Sequence, residues 1–310
     1  MEDYPRTLME IERRFATDQA CREYLFALRW PEGFVCPHCG GRQAWAMKRG
    51  LWLCSACRYQ ASVTARTIFQ DTRLPLTLWF RAMWLVTSQK NGASALGLQR
   101  VLGLGCYKTA WAMLHKLRRA MVRPGRDRLA GTIEVDETYW GAEEEGVVGR
   151  LTEDKALVIV AAQHDGQRKI GRIRMARIPD LARPTLHRFI AQSIEPGSVV
   201  RTDGLPAYRD LQGYRHEAVV IKGSGKSADE LLPRVHRVIS LVKRWLMGTH
   251  QGAVGQDHLD YYLDEFTFRF NRRDSEFRGK LFYRLIQQAA QVAPAPFQTL
   301  IHPHQLGVVE

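Results

Sequence analysis

Apolar residues near the start of the chain recur at helical spacing. Cys21, Tyr24, Leu25 and Leu28 fall three and four apart, which predicts a helical lead-in over residues 6–30. From Phe34 onward the stretches shorten. Residues 52 to 69 carry Val63, Thr64, Thr67, Ile68 and Phe69, a β-branched and aromatic run that reads as strand. Pro75 then opens a helix over Leu76–Ser88, rich in Trp79, Phe80, Met83, Trp84 and Leu85. A helical stretch over Ala93–Val101 is parted by Gly103-Leu104-Gly105 from another over Tyr107–Met121, whose Trp111, Leu114 and Leu117 share one face. Helix, glycine-bearing turn, helix is the outline of a helix-turn-helix, and equally of a plain helical connector with a solvated basic face.

The chain changes character after Pro124-Gly125-Arg126-Asp127. Strands are expected at Ile133–Asp136, Ala156–Ala162, Ile170–Ile178, Ser198–Asp203 and Glu217–Ile221, with an amphipathic helix at Leu181–Ile194 after the third. A long helix follows from Pro233, well placed at a first helical position, to Thr249. Glu143-Glu144-Glu145 reads as a short acidic loop. The expected organisation is multidomain α/β: a lead-in at 1–32, a small ribbon at 33–73, a helical segment at 74–125, a mixed α/β domain at 128–292 and a tail at 293–310.

Composition narrows the class. At 310 residues and 45% apolar content the chain can bury a sizeable core in two or three domains. It has no apolar run of the ~18 residues a membrane span needs, and no secretory pattern follows Met1. A formal charge of +13 points to a polyanionic partner. Six cysteines suit a reducing cytoplasm.

Four of those cysteines carry the clearest chemistry. Cys36-Pro37-His38-Cys39 is answered, after fourteen intervening residues, by Cys54-Ser55-Ala56-Cys57. Two CxxC pairs at this separation suit a tetrahedral Cys₄ zinc site, with a hairpin returning the second pair to the first. Phe34, Trp45, Trp52 and Tyr59 are the residues available to cover so small a ribbon. Two further positions stand at strand ends: Asp136 in Val135-Asp136-Glu137 and Asp203 in Thr202-Asp203-Gly204. Carboxylates there project into the crevice where open α/β sheets bind ligands, and a pair of them can hold divalent cations that take oxygen ligands. Asp203 ahead of a glycine also suits a turn cap.

The ordered set Ile-Glu-Val-Asp-Glu-Thr-Tyr-Trp-Gly, Thr-Asp-Gly, Lys-Arg-Trp-Leu-Met-Gly-Thr-His and Tyr-Leu-Asp-Glu-Phe-Thr-Phe-Arg-Phe-Asn-Arg-Arg, behind a zinc ribbon and a helical segment, resembles a bacterial insertion-sequence transposase. The subgroup is the one with a zinc ribbon ahead of an RNase H-like, DDE-type catalytic domain, and the resemblance covers residues 15–290. It implies Mg²⁺- or Mn²⁺-dependent cutting at the ends of a mobile element. The freed 3′-hydroxyl then attacks target DNA. Double-stranded DNA, a homodimer or higher oligomer upon it and a place at the bacterial nucleoid, without a membrane, follow from the same resemblance.

The family sets its third ligand, an acid or Asn, on a helix seven residues before a Lys or Arg. Here Lys243 is that basic residue and His236 stands seven before it, beside the apolar stripe of Val235, Val238, Ile239, Val242 and Leu246. Imidazole suits Mn²⁺ better than Mg²⁺. Glu265, seven before Arg272, is the rival, with an i,i+4 pair to Arg269 as its plain role. Thirty-two residues separate Asp203 from His236 and sixty-one separate it from Glu265, which favours His236. For DNA contact the candidates are Lys108, Lys116, Arg118 and Arg119 in the helical segment. Arg244, Arg272 and Arg273 are those of the last third, where Trp245, Phe268 and Phe270 are interleaved. A missing third acid leaves open a non-catalytic DNA-binding regulator or a decayed transposase.

Overall fold

The computed structural model describes residues 3–302 apart from 124, 142–154, 167–168, 220–224 and 226. The acidic loop at Glu143–Glu145 lies outside the described residues. The chain divides into two compact units, residues 1–123 with 274–310 and residues 124–273.

The first unit opens with α1 (Leu8–Arg14) and α2 (Asp18–Arg29), where the sequence predicts one continuous helical lead-in. The break is built locally. Thr7 and Thr17 each turn a side-chain oxygen onto an amide of the helix that follows, a cap that starts a helix anew. The ribbon consists of β1 (Ala44–Ala46), β2 (Leu51–Cys54) and β3 (Gln60–Ser62), an antiparallel meander. Strand ends at Ser62, short of the expected Phe69. Thr67 instead bonds its hydroxyl to the Thr64 carbonyl and receives the Phe69 amide, local bonds that favour turns over a ladder. Ile68 and Phe69 are fully buried there as plugs.

Three helices follow: α3 (Leu76–Ser88), α4 (Ala95–Leu102) and α5 (Tyr107–Ala120). α4 ends on Gly103 at φ +63°, the left-handed conformation that glycine adopts without a Cβ clash.

The second unit is a five-stranded sheet built from β4 (Thr132–Trp140), β5 (Ala156–Asp165), β6 (Lys169–Ile178), β7 (Val199–Asp203) and β8 (Arg215–Val219). Their order is β6-β5-β4-β7-β8; β4, β5 and β6 pair antiparallel, whereas β7 lies parallel to β4 and β8 parallel to β7. This is an RNase H-like mixed sheet. The near-continuous apolar run of β5 follows from burial on both faces. One face packs Ile133, Val135, Ile159 and Val200 against α6 (Arg183–Ser193). The other packs Val158 and Val160 against α8 (Pro233–His250) and α9 (Leu259–Phe270), with the short α7 (Ala228–Leu231) leading into α8. The buried stripe of α8 is Val235, Val238, Ile239, Val242, Trp245 and Leu246, as its periodicity predicts, with Trp245 added.

α9 closes the open edge of β6 through side chains that stand in for a sixth strand. Asn271 receives the Ile173 amide at 2.7 Å and donates to the Ile173 carbonyl at 3.1 Å. Asp260 receives the Arg177 amide, and Arg273 donates to the carbonyls of Gly171 and Ile170. An edge strand so occupied has few free groups left for stray pairing.

The α/β unit ends at Arg273, where the sequence extends that domain to 292. α10 (Arg278–Ala289) packs on α3 and α5 instead, through Phe282 against Phe80 and Trp84. α11 (Phe297–Ile301) follows within the expected tail. Among the described residues no helix is long and apolar enough to cross a membrane.

Candidate functional site

The ribbon gathers Cys36, Cys39, Cys54 and Cys57 with all four sulfurs within 4.8 Å of one another. Two of the separations are 3.6 Å (Cys36 to Cys57) and 3.7 Å (Cys39 to Cys54). Sulfurs at the corners of a tetrahedron with Zn–S bonds of ~2.3 Å stand about 3.8 Å apart, so the cage fits zinc. Burial opposes ionisation of Cys36, but the amides of Cys39 and His38 together with the sulfurs of Cys57 and Cys39 bring its pKa down to about 7. Gly40 makes the knuckle turn at φ +75°. Phe34 and Trp52 cover the ribbon as expected, joined by Phe26 of α2 stacked 4.8 Å from Trp52. Trp45 and Tyr59 do not: both are exposed, and Tyr59 stacks on His38.

Asp136 does not end its strand as the sequence predicts: β4 runs on to Trp140 and leaves it in mid-strand, whereas Asp203 does end β7. In the second unit, the register of β4 and β7 sets the carboxylates. Glu134 pairs with Arg201, so Asp136 and Asp203, two residues further along parallel strands, share a level and a face. α8 crosses that face, and His236 Nε2 lies 3.1 Å from Asp136 Oδ2 with both side chains only partly exposed. Asp136 Oδ1 receives the Glu137 amide and Asp203 Oδ1 the Leu205 amide, so the turn-cap role for Asp203 is real as well. Among the described residues the cysteine cage is the one cluster of three or more ligating groups drawn this tightly. Lys243 follows His236 by two turns of α8, half-buried, and that burial lowers its ammonium pKa.

Glu265 is placed elsewhere. It is fully buried on α9, which packs along β6, two strands from β4, and its Oε1 stands 3.6 Å from Arg269. The structure does not bring it to Asp136.

The basic candidates separate by exposure. Lys108 is exposed in the first turn of α5, and Arg244 is exposed on α8. Arg119 is partly exposed; Lys116 is half-buried, and desolvation lowers its pKa. Arg118 is buried, its guanidinium 3.5 Å from His115, because it falls on the inward face of α5 beside Leu114 and Leu117. It is not available to DNA. Arg273 is committed to the β6 carbonyls, and Arg272 folds over the Phe268 ring at 4.0 Å. Trp245, Phe268 and Phe270 are buried rather than interleaved on a binding surface.

Two relationships were invisible in the sequence. Glu134, fully buried on β4, accepts from the amides of Arg234 and Val235, from the Arg234 guanidinium and from His164. Glu137 accepts from the buried hydroxyl of Tyr208, whose pKa is pushed up by burial and then by that carboxylate. Only the i,i+2 spacing of Glu134 and Asp136 hinted at a shared face.

Two family models match the chain. The ISXO2-like transposase domain matches residues 128–271, which coincides with the α/β unit, and the transposase zinc-ribbon domain matches residues 16–60. Together they span more than half of the sequence. The chain belongs to the insertion-sequence transposases with an N-terminal zinc ribbon. The ribbon model begins within reach of α2, in keeping with Phe26 packing on Trp52. No curated protein matches the chain closely. Membership of a transposase family implies an enzyme that cleaves and transfers DNA and a protein that binds DNA, and the ribbon family with the four-sulfur cage supports structural zinc.

Proposed function

We infer that this transposase cuts the ends of its mobile element and joins them to target DNA, with divalent metal ions held by Asp136, Asp203 and His236. The observation that carries it is the 3.1 Å approach of His236 Nε2 to Asp136 Oδ2, at the level where Asp203 ends the neighbouring parallel strand. Two carboxylates and an imidazole, partly open to solvent, make a mixed oxygen and nitrogen donor set that fits Mn²⁺ better than Mg²⁺. Bound there, such ions would activate the attacking oxygen and stabilise the leaving one in phosphodiester displacement.

The protein's own groups supply position and charge. Lys243, on the helix that carries His236, orients a phosphate of the bound strand, and partial burial strengthens its attraction to that anion. Lys108 at the head of α5 contributes contact with the element ends, and Arg244 on α8 neutralises phosphate without regard to sequence. Cutting and joining two ends calls for a homodimer or higher oligomer on the DNA.

The test is a cleavage and joining assay on the element's own terminal DNA, comparing Mg²⁺ with Mn²⁺ and including Asp203→Asn. Metal-dependent nicking at the element end and a joined product, both lost in the variant, are expected. Specific binding with no cleavage in either metal would establish the non-catalytic alternative.

A further inference from the structure

The geometry points to Glu134 as the residue that positions His236 against Asp136. α8 begins without a cap of its own. Leu232 precedes it with no side-chain hydrogen bond, and Pro233 at its start has no N–H to offer. The next two amides, of Arg234 and Val235, are the ones that need acceptors. Glu134 Oε2 takes both, at 2.7 and 3.0 Å. A carboxylate at this end of a helix is favoured by the macrodipole, and bonds to an ionised acceptor are the stronger kind.

The other oxygen is held from the side. Oε1 stands 2.9 Å from His164 Nε2 on β5 and 3.2 Å from Arg234 Nη1. Arg234 in turn donates to the carbonyls of Gly166 and Lys169 where β5 turns into β6. Glu134 has no exposed surface, so water cannot replace these donors, and an ionised group there depends on keeping them.

The consequence is register. Glu134 and Asp136 stand two apart on one strand and project from the same face. His236 directly follows Val235, whose amide is bound to Glu134. Fixing that amide fixes where the His236 ring meets the sheet. A slip of α8 by one residue, about 1.5 Å along its axis and about 100° around it, would break both amide bonds and carry the ring away from Asp136. Glu134 thus acts through His236. Its geometry stands by itself, and its effect on cleavage rests on the function proposed above.

The experiment uses the full chain with its ribbon zinc and no added Mg²⁺ or Mn²⁺. The ring nitrogens of His236 are followed by NMR after selective histidine labelling, with Asp136→Asn marking the broken pair. Glu134→Gln keeps the shape but offers one acceptor oxygen in place of two and turns an NH₂ toward groups that are themselves donors. In folded Glu134→Gln, verified by melting, the His236 resonances should move toward those of Asp136→Asn. Cleavage of element-end DNA in Mn²⁺ should fall by roughly 10- to 100-fold, the range for residues that orient a ligand from behind, with DNA affinity held. On a His236→Ala background, Glu134→Gln should add little further loss. Wild-type resonances in the folded variant, or losses that multiply on the His236→Ala background, would overturn the assignment. Should Glu134→Gln not fold, Glu134→Asp keeps the charge and withdraws it by one methylene, and the same comparison decides. A wild type that cuts no DNA in any metal would remove the proposed function and leave the ring comparison to judge Glu134.

Discussion

His236, on the first turn of a helix, stands 3.1 Å from Asp136 in the middle of the central strand, a hundred residues earlier in the chain. Asp203 reaches the same level from the neighbouring strand through the parallel register. If these three hold the ions, Asp136→Asn and Asp203→Asn should each reduce strand cleavage by several orders of magnitude while DNA affinity persists, since each removes a charge from the donor set. His236→Ala should also cripple cleavage. His236→Glu should retain it and shift the preference toward Mg²⁺, because carboxylate is the harder ligand. Cleavage and binding measured side by side on element-end DNA check the set; normal cutting by His236→Ala would remove His236 from it.

Zinc removal tests the ribbon. Purified protein should carry about one equivalent of zinc. Chelation should unfold the region around β1 to β3, since binding free energy of ~10–16 kcal/mol in zinc-finger peptides is folding free energy there. The α/β unit should keep its own cooperative melt, because its two cores lie on a sheet with no cysteine in it. Cys54→Ser should reproduce the effect. Acidification should release the metal by protonating the sulfurs. A metal-free protein with a folded ribbon would contradict the assignment.

What the sequence made legible was whatever local spacing encodes. The two CxxC pairs announce their cage because each pair's geometry is set within four residues. The stripe of α8 and the strands carrying Asp136 and Asp203 follow from periods of 3.6 and 2. What it hid depends on partners far along the chain. Arg118 looked like a DNA contact because its charge is visible and its burial is not. Arg273 looked the same, although its donors belong to carbonyls a hundred residues away. Glu134 sat two residues from Asp136 in the motif itself, with nothing nearby to show that it caps a helix starting at Pro233. Thr64 to Phe69 failed differently: β-branched residues signal strand, but threonine hydroxyls also close turns.

DNA contact should divide along exposure. Lys108→Ala should weaken selective binding to the element ends, as a change at the exposed head of α5. Arg244→Ala should weaken binding to all duplexes alike and lower the salt slope by about one phosphate contact. Arg118→Ala should lower the melting temperature, since it leaves a cavity and strands the group facing it. Affinity measured against salt on cognate and random duplex separates these outcomes. A large binding loss from Arg118→Ala in a protein of unchanged melt would show that the buried arginine does reach DNA.

The motif Phe268-Arg269-Phe270-Asn271-Arg272-Arg273 should prove structural. Asn271 makes two bonds to the edge strand at Ile173, and Arg273 adds donors to Gly171 and Ile170. Losing either leaves edge-strand groups without partners, at about 1–3 kcal/mol for each buried group stranded. Asn271→Ala and Arg273→Ala should therefore destabilise the α/β unit and promote self-association through the freed edge of β6. Both should leave the salt dependence of DNA binding nearly unchanged. Glu265→Gln belongs with them. Its neighbour is Arg269 on the same helix, and its effect should be on stability, with cleavage per folded molecule preserved. Thermal melts, sizing and DNA titrations of the three variants provide the check. If Glu265→Gln instead abolished cleavage with an unchanged melt, the third ligand would have to be sought on α9 and not on α8.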